Sequence, residues 1–223
     1  MIPWVLLDKV KVAGGDELRL MRRGEEFSIF SGPTPLMNSR MSGSEKALAE
    51  LACARVGERK KCRMLIGGYG MGFTLRAALA CLRSDAQVTV AELVPAVIAW
   101  ARGPMAHLSA GCLEDPRVTI REVDVRNIIV AAPSQFDAIL LDVDNGPDGL
   151  TQAANDRLYN LSGLHAARSA LRPGGVLAVW SAAPSPKFTR RLQSVGFTVE
   201  EIQTRANSNG KGPRHYIWMA RVS

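Results

Sequence analysis

Residues 64–74 read MLIGGYGMGFT, an apolar run that ends in four glycines within six residues and is followed directly by a helical pattern. Glycine adopts positive φ angles without steric cost, so the chain can turn sharply here and its backbone can approach a ligand closely. The first N–H groups of the following helix point at whatever occupies the turn. The stretch therefore predicts a strand, a cofactor-binding loop and a helix.

An acidic residue on the next strand supports this prediction. Glu92 ends the apolar run 88–91. It lies about 20 residues beyond the loop, the distance at which a carboxylate meets ribose hydroxyls in a strand–helix–strand unit. A tight turn without a ligand is the alternative interpretation of the glycines alone. The two features together favour a cofactor that contains adenosine.

The composition is that of a globular protein, since 47% of the 223 residues are hydrophobic. No apolar run approaches the roughly 20 residues of a membrane span, and the N-terminus lacks the basic start of a secretory signal. The four cysteines and three histidines show neither metal-ligand spacing nor a disulfide framework. We therefore expect a cytoplasmic protein with no metal site and no membrane partner.

The formal net charge of +7 favours anionic partners, with nucleic acid among them. The densest basic cluster is 59–63, and short charge runs of this kind usually form a solvated loop. A small-molecule acceptor is therefore the preferred partner and nucleic acid the less favoured one. A homodimer stays open as an alternative to a monomer.

Residues 1–36 predict a small N-terminal β element. Two runs of alternating apolar and polar residues surround a Gly-Gly pair and predict a β-hairpin, to which 27–30 could add a third strand. Residues 31–35 contain two prolines and a glycine, which break a β ladder. Residues 37–223 then form a second domain that binds the cofactor.

The second domain is expected to begin with a polar segment and a helix. Residues 36–40 lie at the junction and either reach the ligands or serve as an ordinary linker. Ser42 and Glu45 have the spacing of a capping box, in which each side chain accepts from the backbone N–H of the other. The helix is expected to continue to about Val56.

From residue 64 onward, strand and helix patterns alternate to the C-terminus, which predicts a doubly wound, Rossmann-like α/β sheet. Ligands of such sheets bind beyond the carboxyl ends of the strands. Those ends carry the glycine loop, Glu92, Asp124, and Asp142 with Asp144. The predicted helices are 73–83, 95–107, 155–171 and 185–195, and the strands after the first two are 118–123, 136–141, 176–180, 197–203 and 215–222.

The order of glycine loop, Glu92, Asp124 and the run FDAILLD at 136–142 resembles a class I S-adenosylmethionine-dependent methyltransferase domain. Within that superfamily it most resembles the spermidine synthase branch, the polyamine aminopropyltransferases. The added likeness lies in the N-terminal β element, the helix at Ser44-Glu45 and the pair Leu158-Tyr159. The resemblance implies a seven-stranded sheet whose last strand is antiparallel.

The resemblance also implies a cofactor site. The three loop glycines are implied to surround the sulfonium and its amino-acid or aminopropyl end, and an acidic side chain to accept both ribose hydroxyls. A second acidic side chain, with the backbone after it, is implied to hold adenine. These residues are Gly68, Gly70, Gly72, Glu92, Asp124 and Val125.

The reacting centre and the acceptor site follow from the same resemblance. Asp142, with Asp144 beside it, is implied to orient the acceptor or take its proton. Tyr69, Tyr159 and Arg40 are the candidate acceptor contacts, although an aromatic side chain at a strand end usually serves packing. The sequence implies no metal in either site.

The loop departs from the spermidine synthase pattern Gly-Gly-Gly-Asp-Gly-Gly, because Gly70 replaces the acidic residue. That carboxylate suits the aminopropyl ammonium of decarboxylated S-adenosylmethionine and repels the carboxylate of the ordinary cofactor. The amine-binding Tyr-x-Glu segment is not recognisable either. We therefore expect S-adenosylmethionine and methyl transfer to a small molecule. The alternatives are aminopropyl transfer from the decarboxylated cofactor, and an RNA-directed or non-catalytic cofactor-binding protein.

Overall fold

The structure is a computed structural model that describes residues 2–12, 15–143, 146–147, 157–207 and 209–222. Within these ranges the strands form two sheets, one of four strands and one of seven. The four-stranded sheet is antiparallel throughout and lies at the N-terminus. Its strands, in chain and spatial order, are β1 (Val5–Lys11), β2 (Glu17–Arg23), β3 (Glu26–Ser31) and β4 (Thr34–Asn38).

The fourth strand corrects the expectation that residues 31–35 end the N-terminal sheet. The chain turns at Gly32, which has a φ of 51°, and Pro35 then pairs with Phe30. Because β4 is an edge strand, it can accommodate a proline that donates no hydrogen bond. The sheet therefore extends to Asn38, while the division of the chain into units 1–36 and 37–223 stays a prediction.

The seven-stranded sheet has the predicted architecture. Its spatial order is β10-β11-β9-β8-β5-β6-β7, and β11 runs antiparallel to both of its neighbours. The remaining contacts between strands 5 to 9 are parallel. The strands are β5 (Arg63–Gly67), β6 (Gln87–Ala91), β7 (Val118–Arg121), β8 (Phe136–Leu141), β9 (Leu171–Ser181), β10 (Thr198–Arg205) and β11 (Arg214–Arg221).

Helices cover both faces of this sheet. Successive side chains of a strand point to opposite sides, and the apolar side chains on both sides are buried in hydrophobic clusters. Met64 and Ile66 of β5 pack in one hydrophobic cluster and Leu65 packs in the other. The helices are α1 (Gly43–Val56), α2 (Phe73–Cys81), α3 (Pro95–Arg102), α4 (Ala106–Ser109), α5 (Val125–Ala131), α6 (Leu161–Ala170) and α7 (Pro186–Ser194). None of the helices in the described ranges is long and apolar enough to cross a bilayer.

The predicted helix 95–107 is in fact two helices. Helix α3 ends at Arg102 and α4 begins at Ala106. Gly103 and Pro104 separate them, and a proline inside a helix removes a backbone donor and clashes with the preceding turn. The break returns the chain towards the glycine loop, where Ser109 of α4 meets the Tyr69 hydroxyl at 2.8 Å.

Candidate active site

Two cavities lie at the carboxyl edge of the parallel strands. The first cavity is lined by the loops after β5, β6, β7 and β8 and by the N-terminal sheet. The second cavity lies between β4, the start of α1, the glycine loop and the beginning of β11. The two enclose about 980 and 1010 Å³, including their openings to solvent. Leu36, Met37, Gly70 and Asp142 line both cavities, so the two spaces meet at these residues.

The glycine loop requires its glycines for different reasons. Gly68 and Gly70 have φ angles of 85° and 56° and line the first cavity. A Cβ on Gly68 would lie 2.3 Å from the backbone oxygen of Asp142, so no side chain fits there. Gly72 is not among the lining residues of either cavity. A Cβ on Gly72 would meet the Tyr69 hydroxyl at 2.7 Å, so this glycine makes room for a buried ring, while its implied contact with the cofactor stays a prediction.

Glu92 lies in the wall of the first cavity with 7% of its surface exposed. Its Oε2 accepts from the Tyr69 backbone N–H at 2.9 Å and its Oε1 from that of Val94 at 2.8 Å. Burial raises the pKa of Glu92, while these backbone donors oppose the shift. The backbone N–H groups of Gly70 and Leu93 act on the same carboxylate, and a carboxylate in the cavity wall can also accept hydrogen bonds from hydroxyl groups of a ligand.

Asp124 and Val125 also line the first cavity. Asp124 is the N-cap residue of α5 and accepts from the Arg126 backbone N–H at 2.8 Å. Asp124 can therefore serve both as a helix cap and as a ligand contact, since the capping residue also lines the cavity. Val125 is buried at the same point and supplies an apolar surface.

Asp142 follows β8 at the junction of the two cavities. The Thr74 hydroxyl donates to its Oδ2 at 2.6 Å. Burial raises the pKa of Asp142 to about 6. A carboxylate with this pKa can exchange a proton near neutral pH. Asp144, its predicted companion, lies outside the described residues.

Glu45, which the sequence interpretation assigned to a capping box, is a second carboxylate that interacts with Asp142. The capping box does not form, since Ser42 is the N-cap residue of α1 without a side-chain capping bond. Glu45 instead lines the second cavity and accepts from the Ser44 hydroxyl at 2.7 Å. Burial and the nearby Asp142 raise the pKa of Glu45 to about 7. The site therefore holds a pair of interacting carboxyl groups.

His215 is another residue that the sequence interpretation missed. It lines the second cavity, and its Nδ1 lies 2.8 Å from the Ser44 hydroxyl. Its ring meets Trp180 edge-on with 4.7 Å between centroids, and burial lowers the pKa of His215. The available signal was topological: an antiparallel last strand begins at the edge where the parallel strands end.

The predicted acceptor contacts have different fates. Tyr69 lines the second cavity, although its hydroxyl bonds to Ser109 beneath the loop. Tyr159 is 1% exposed, packs edge-on against Phe188 in the core and is absent from the lining of both cavities. The Arg40 side chain is 73% exposed, lies 3.8 Å from Glu26 and lines neither cavity. Within the described residues, Tyr159 and Arg40 therefore lie away from the site.

Comparison with known proteins assigns the family. The model of the spermine/spermidine synthase domain matches residues 43–195, more than half of the chain. A polyamine aminopropyltransferase of Mycobacterium tuberculosis is 28% identical over 192 residues, which cover 82% of this chain and 35% of that protein. A polyamine aminopropyltransferase of Nitrosomonas europaea is 36% identical over 134 residues, 59% of this chain and 39% of that protein. The chain thus spans little more than a third of the length of these relatives.

A solved structure supports the fold. Spermidine synthase from Thermotoga maritima superposes with a TM-score of 0.76 at 17% sequence identity, covering 98% of this chain and 73% of that chain. Both the N-terminal sheet and the seven-stranded sheet fall within the covered residues. The implied branch of the superfamily is therefore the right one, and the chain belongs to the spermine/spermidine synthase domain family.

Proposed function

We propose that this chain is an aminopropyltransferase. It binds decarboxylated S-adenosylmethionine in the first cavity and transfers the aminopropyl group to a small amine in the second. The observation that carries the proposal is the interacting carboxylate pair, Asp142 where the cavities meet and Glu45 in the wall of the second cavity. The names of the relatives also support this alternative over methyl transfer, which was the first expectation.

The carboxylate pair supplies more negative charge for a cationic acceptor than the loop after β8 alone. Asp142 and Asp144 alone are few acidic groups for a cationic acceptor, whereas Glu45 adds one from a distant part of the chain. Opposite charges within about 4–6 Å stabilise each other's charged forms, so an ammonium group suits this junction. Burial raises the pKa of both carboxyl groups, and Asp142 raises that of Glu45 further, while Lys46 opposes only part of this shift.

The residues of the first cavity fit an adenosine-containing donor. Gly68 and Gly70 line the first cavity and carry no side chain that would fill it. At Gly68 a side chain is also excluded by the backbone oxygen of Asp142. Glu92 is the acceptor for the ribose hydroxyls, and Asp124 with the Val125 backbone is the contact for adenine. These assignments place the far end of the donor at Gly70 and Asp142, next to the second cavity.

The carboxylates prepare the nucleophile. An amine enters as an ammonium ion and gives one proton to the carboxylate pair, which frees a lone pair on nitrogen. The nitrogen then forms a bond to the carbon next to the sulfonium sulfur. The carbon–sulfur bond breaks and its electron pair stays on sulfur, which leaves as a neutral thioether. The protein's contribution is to hold the two reactants in line and to remove the proton.

Methyl transfer from ordinary S-adenosylmethionine is the second candidate, and one observation favours it. A Cβ on Gly70 would lie 3.3 Å from the sulfur of Met37. An uncharged thioether therefore stands beside the position where related proteins are expected to carry a carboxylate. The loop consequently offers no charge that repels the carboxylate of the ordinary cofactor.

Comparing the two donors decides between the candidates. We expect calorimetry to show binding of the decarboxylated donor, and mass spectrometry to show a diamine such as putrescine heavier by one aminopropyl group. Gly70→Asp should shift the donor preference about tenfold further towards the decarboxylated form, since about 1.4 kcal/mol of added attraction is a factor of ten. Aspartate tolerates the left-handed backbone at this position better than most residues. Methylated amine as the product, with ordinary S-adenosylmethionine as the donor, would establish the second candidate.

Glu92→Ala tests the ribose assignment. We expect the donor to bind about 2 kcal/mol more weakly, roughly a thirtyfold loss, because a hydrogen bond to a charged group contributes about 1.5–3 kcal/mol. Calorimetry with the folded variant measures the loss. Glu122→Ala is the matched control, since Glu122 is exposed, follows the neighbouring strand and lines neither cavity. Equal affinities of the two variants would remove Glu92 from the donor site.

A further inference from the structure

A chain of hydrogen bonds leads away from the carboxylate pair. The Ser44 hydroxyl lies 2.7 Å from Oε2 of Glu45 and 2.8 Å from Nδ1 of His215. Ser44 itself is fully buried at the first turn of α1. His215 is half-buried and stands at the start of β11, beside the exposed Arg214. One buried hydroxyl thus joins the carboxyl group of Glu45 to the imidazole of His215, and both of these groups line the second cavity.

The hydrogen-bond chain from Glu45 through Ser44 to His215 can hold its protons in two ways. If Glu45 is ionised, the Ser44 hydroxyl donates to it, and His215 must carry a proton on Nδ1 to donate to Ser44. If Glu45 is protonated, it donates to Ser44, and Ser44 donates to an unprotonated Nδ1. Switching between the two arrangements moves a proton between Glu45 and His215 without moving a heavy atom.

The electrostatic surroundings change the acidity of both ends of this hydrogen-bond chain. Burial and Asp142 raise the pKa of Glu45 to about 7, whereas burial lowers the pKa of His215 from its ordinary value. The charged groups around the chain are Asp142 across the cavity, Lys46 next to Glu45 and Arg214 next to His215. The lowered pKa of His215 favours release of a proton from its ring to solvent.

The proposed reaction needs such a relay, and the inference rests on that proposed function. One ammonium ion and one sulfonium ion are consumed in each turnover. One secondary ammonium ion and one neutral thioether are formed. Charge balance therefore requires that one proton leaves the cavity in each turnover. A carboxylate pair that has accepted this proton cannot serve again until the proton has left.

We propose that Ser44 and His215 form the proton outlet of the active site. Glu45 passes the proton of the acceptor amine to Ser44, Ser44 passes its own proton to His215, and His215 releases a proton to solvent. His215 lines the same cavity as the acceptor, and in this step it is a positioning residue that acts through Ser44. The contacts of the Ser44 hydroxyl with Glu45 and His215 carry the assignment.

Buffer dependence separates an outlet from a structural contact. We expect His215→Gln to lower kcat about tenfold in dilute buffer, because glutamine can hydrogen-bond to Ser44 but does not titrate. The affinity for the donor should stay unchanged, and imidazole at high concentration should restore most of the kcat of His215→Ala. Ser44→Ala should lose the same factor, and the double variant Ser44→Ala/His215→Gln no more than either alone. Tyr216→Phe is the control, since Tyr216 is next on β11 and packs on the opposite face of the sheet.

A titration that needs no turnover completes the test. In the wild-type protein we expect the His215 ring signal in NMR spectra to titrate together with Glu45, and Glu45→Gln to shift its midpoint. A full kcat in His215→Gln at every buffer concentration, a loss that imidazole does not restore, or an unshifted midpoint in Glu45→Gln would each overturn the outlet. Failure of the wild-type protein to modify any amine would instead overturn the proposed function, while the shift of the His215 midpoint would still report the coupling of the two groups.

Discussion

Asp142→Asn is expected to lower turnover at least a hundredfold while leaving the affinity for the donor unchanged. Asparagine has the shape of aspartate and can still accept the hydrogen bond from Thr74. It cannot accept a proton from the acceptor, and acid–base groups contribute about 10²–10⁴-fold to rates. Steady-state kinetics and calorimetry on the same preparation separate the two effects. Full activity of the variant would make Asp142 a structural contact of Thr74.

The pH profile provides the second part of this prediction. A protonated carboxyl group cannot take up a proton, so wild-type turnover should rise as the pH increases through the range set by the pair. The pKa values are about 6 for Asp142 and about 7 for Glu45, and they belong to the pair together because the two charges interact. Turnover should therefore fall as the pH decreases from about 7 towards 5. In Asp142→Asn the remaining activity should follow a single ionisation.

The fold could be predicted because each parallel strand has its own local pattern in the sequence. The parallel strands are short apolar runs that end in polar residues, and the glycine loop fixes where the first of them turns. The number of strands and the antiparallel last strand were implied by the resemblance, whereas the order of the strands was not predicted. Strand β4 was missed because the rule against prolines applies to central strands, whereas Pro35 lies at an edge.

The site was predictable only where it follows the parallel strands. Glu92, Asp124 and Asp142 each come directly after a strand, and such ends meet at one edge of a sheet. Glu45 and His215 reach the same edge from a helix before β5 and from the last strand, so their proximity depends on the complete topology. Ser44, which joins them, is 171 residues from His215 in sequence.

Tyr159 and Arg40 lie away from the cavities for a different reason. A tyrosine near a strand end fits a cavity wall and a hydrophobic core equally well, and only packing decides between them. Phe188 of α7 meets the Tyr159 ring and holds it in the core. Arg40 lies on the turn after β4, where its exposed side chain is 3.8 Å from Glu26 of the neighbouring strand.

Asp137→Ala is expected to reduce the free energy of unfolding by about 3 kcal/mol. Asp137 lies near the start of β8, with 4% of its side chain exposed. It accepts from Arg59 at 2.9 Å, from Arg172 at 3.0 Å and from the backbone N–H of Arg63 at 2.8 Å. Removing one partner of a buried ion pair costs about 3–5 kcal/mol, because the remaining charge is left uncompensated. The lower end applies here, since each arginine side chain is about one-third exposed and water can compensate part of the loss.

Urea unfolding measures this loss, and Glu17→Ala is the matched control. The Lys9–Glu17 pair has side-chain exposures of 60% and 43%, so its removal should cost less than about 1 kcal/mol. Equal effects of the two variants would contradict a structural role for the Asp137 cluster. Asp137 and Asp142 lie at opposite ends of β8. Asp137 is near its N-terminal end, whereas Asp142 follows its C-terminal end and lines the cavities. The folded fraction of Asp137→Ala should therefore still bind the donor, so stability and activity can be separated along a single strand.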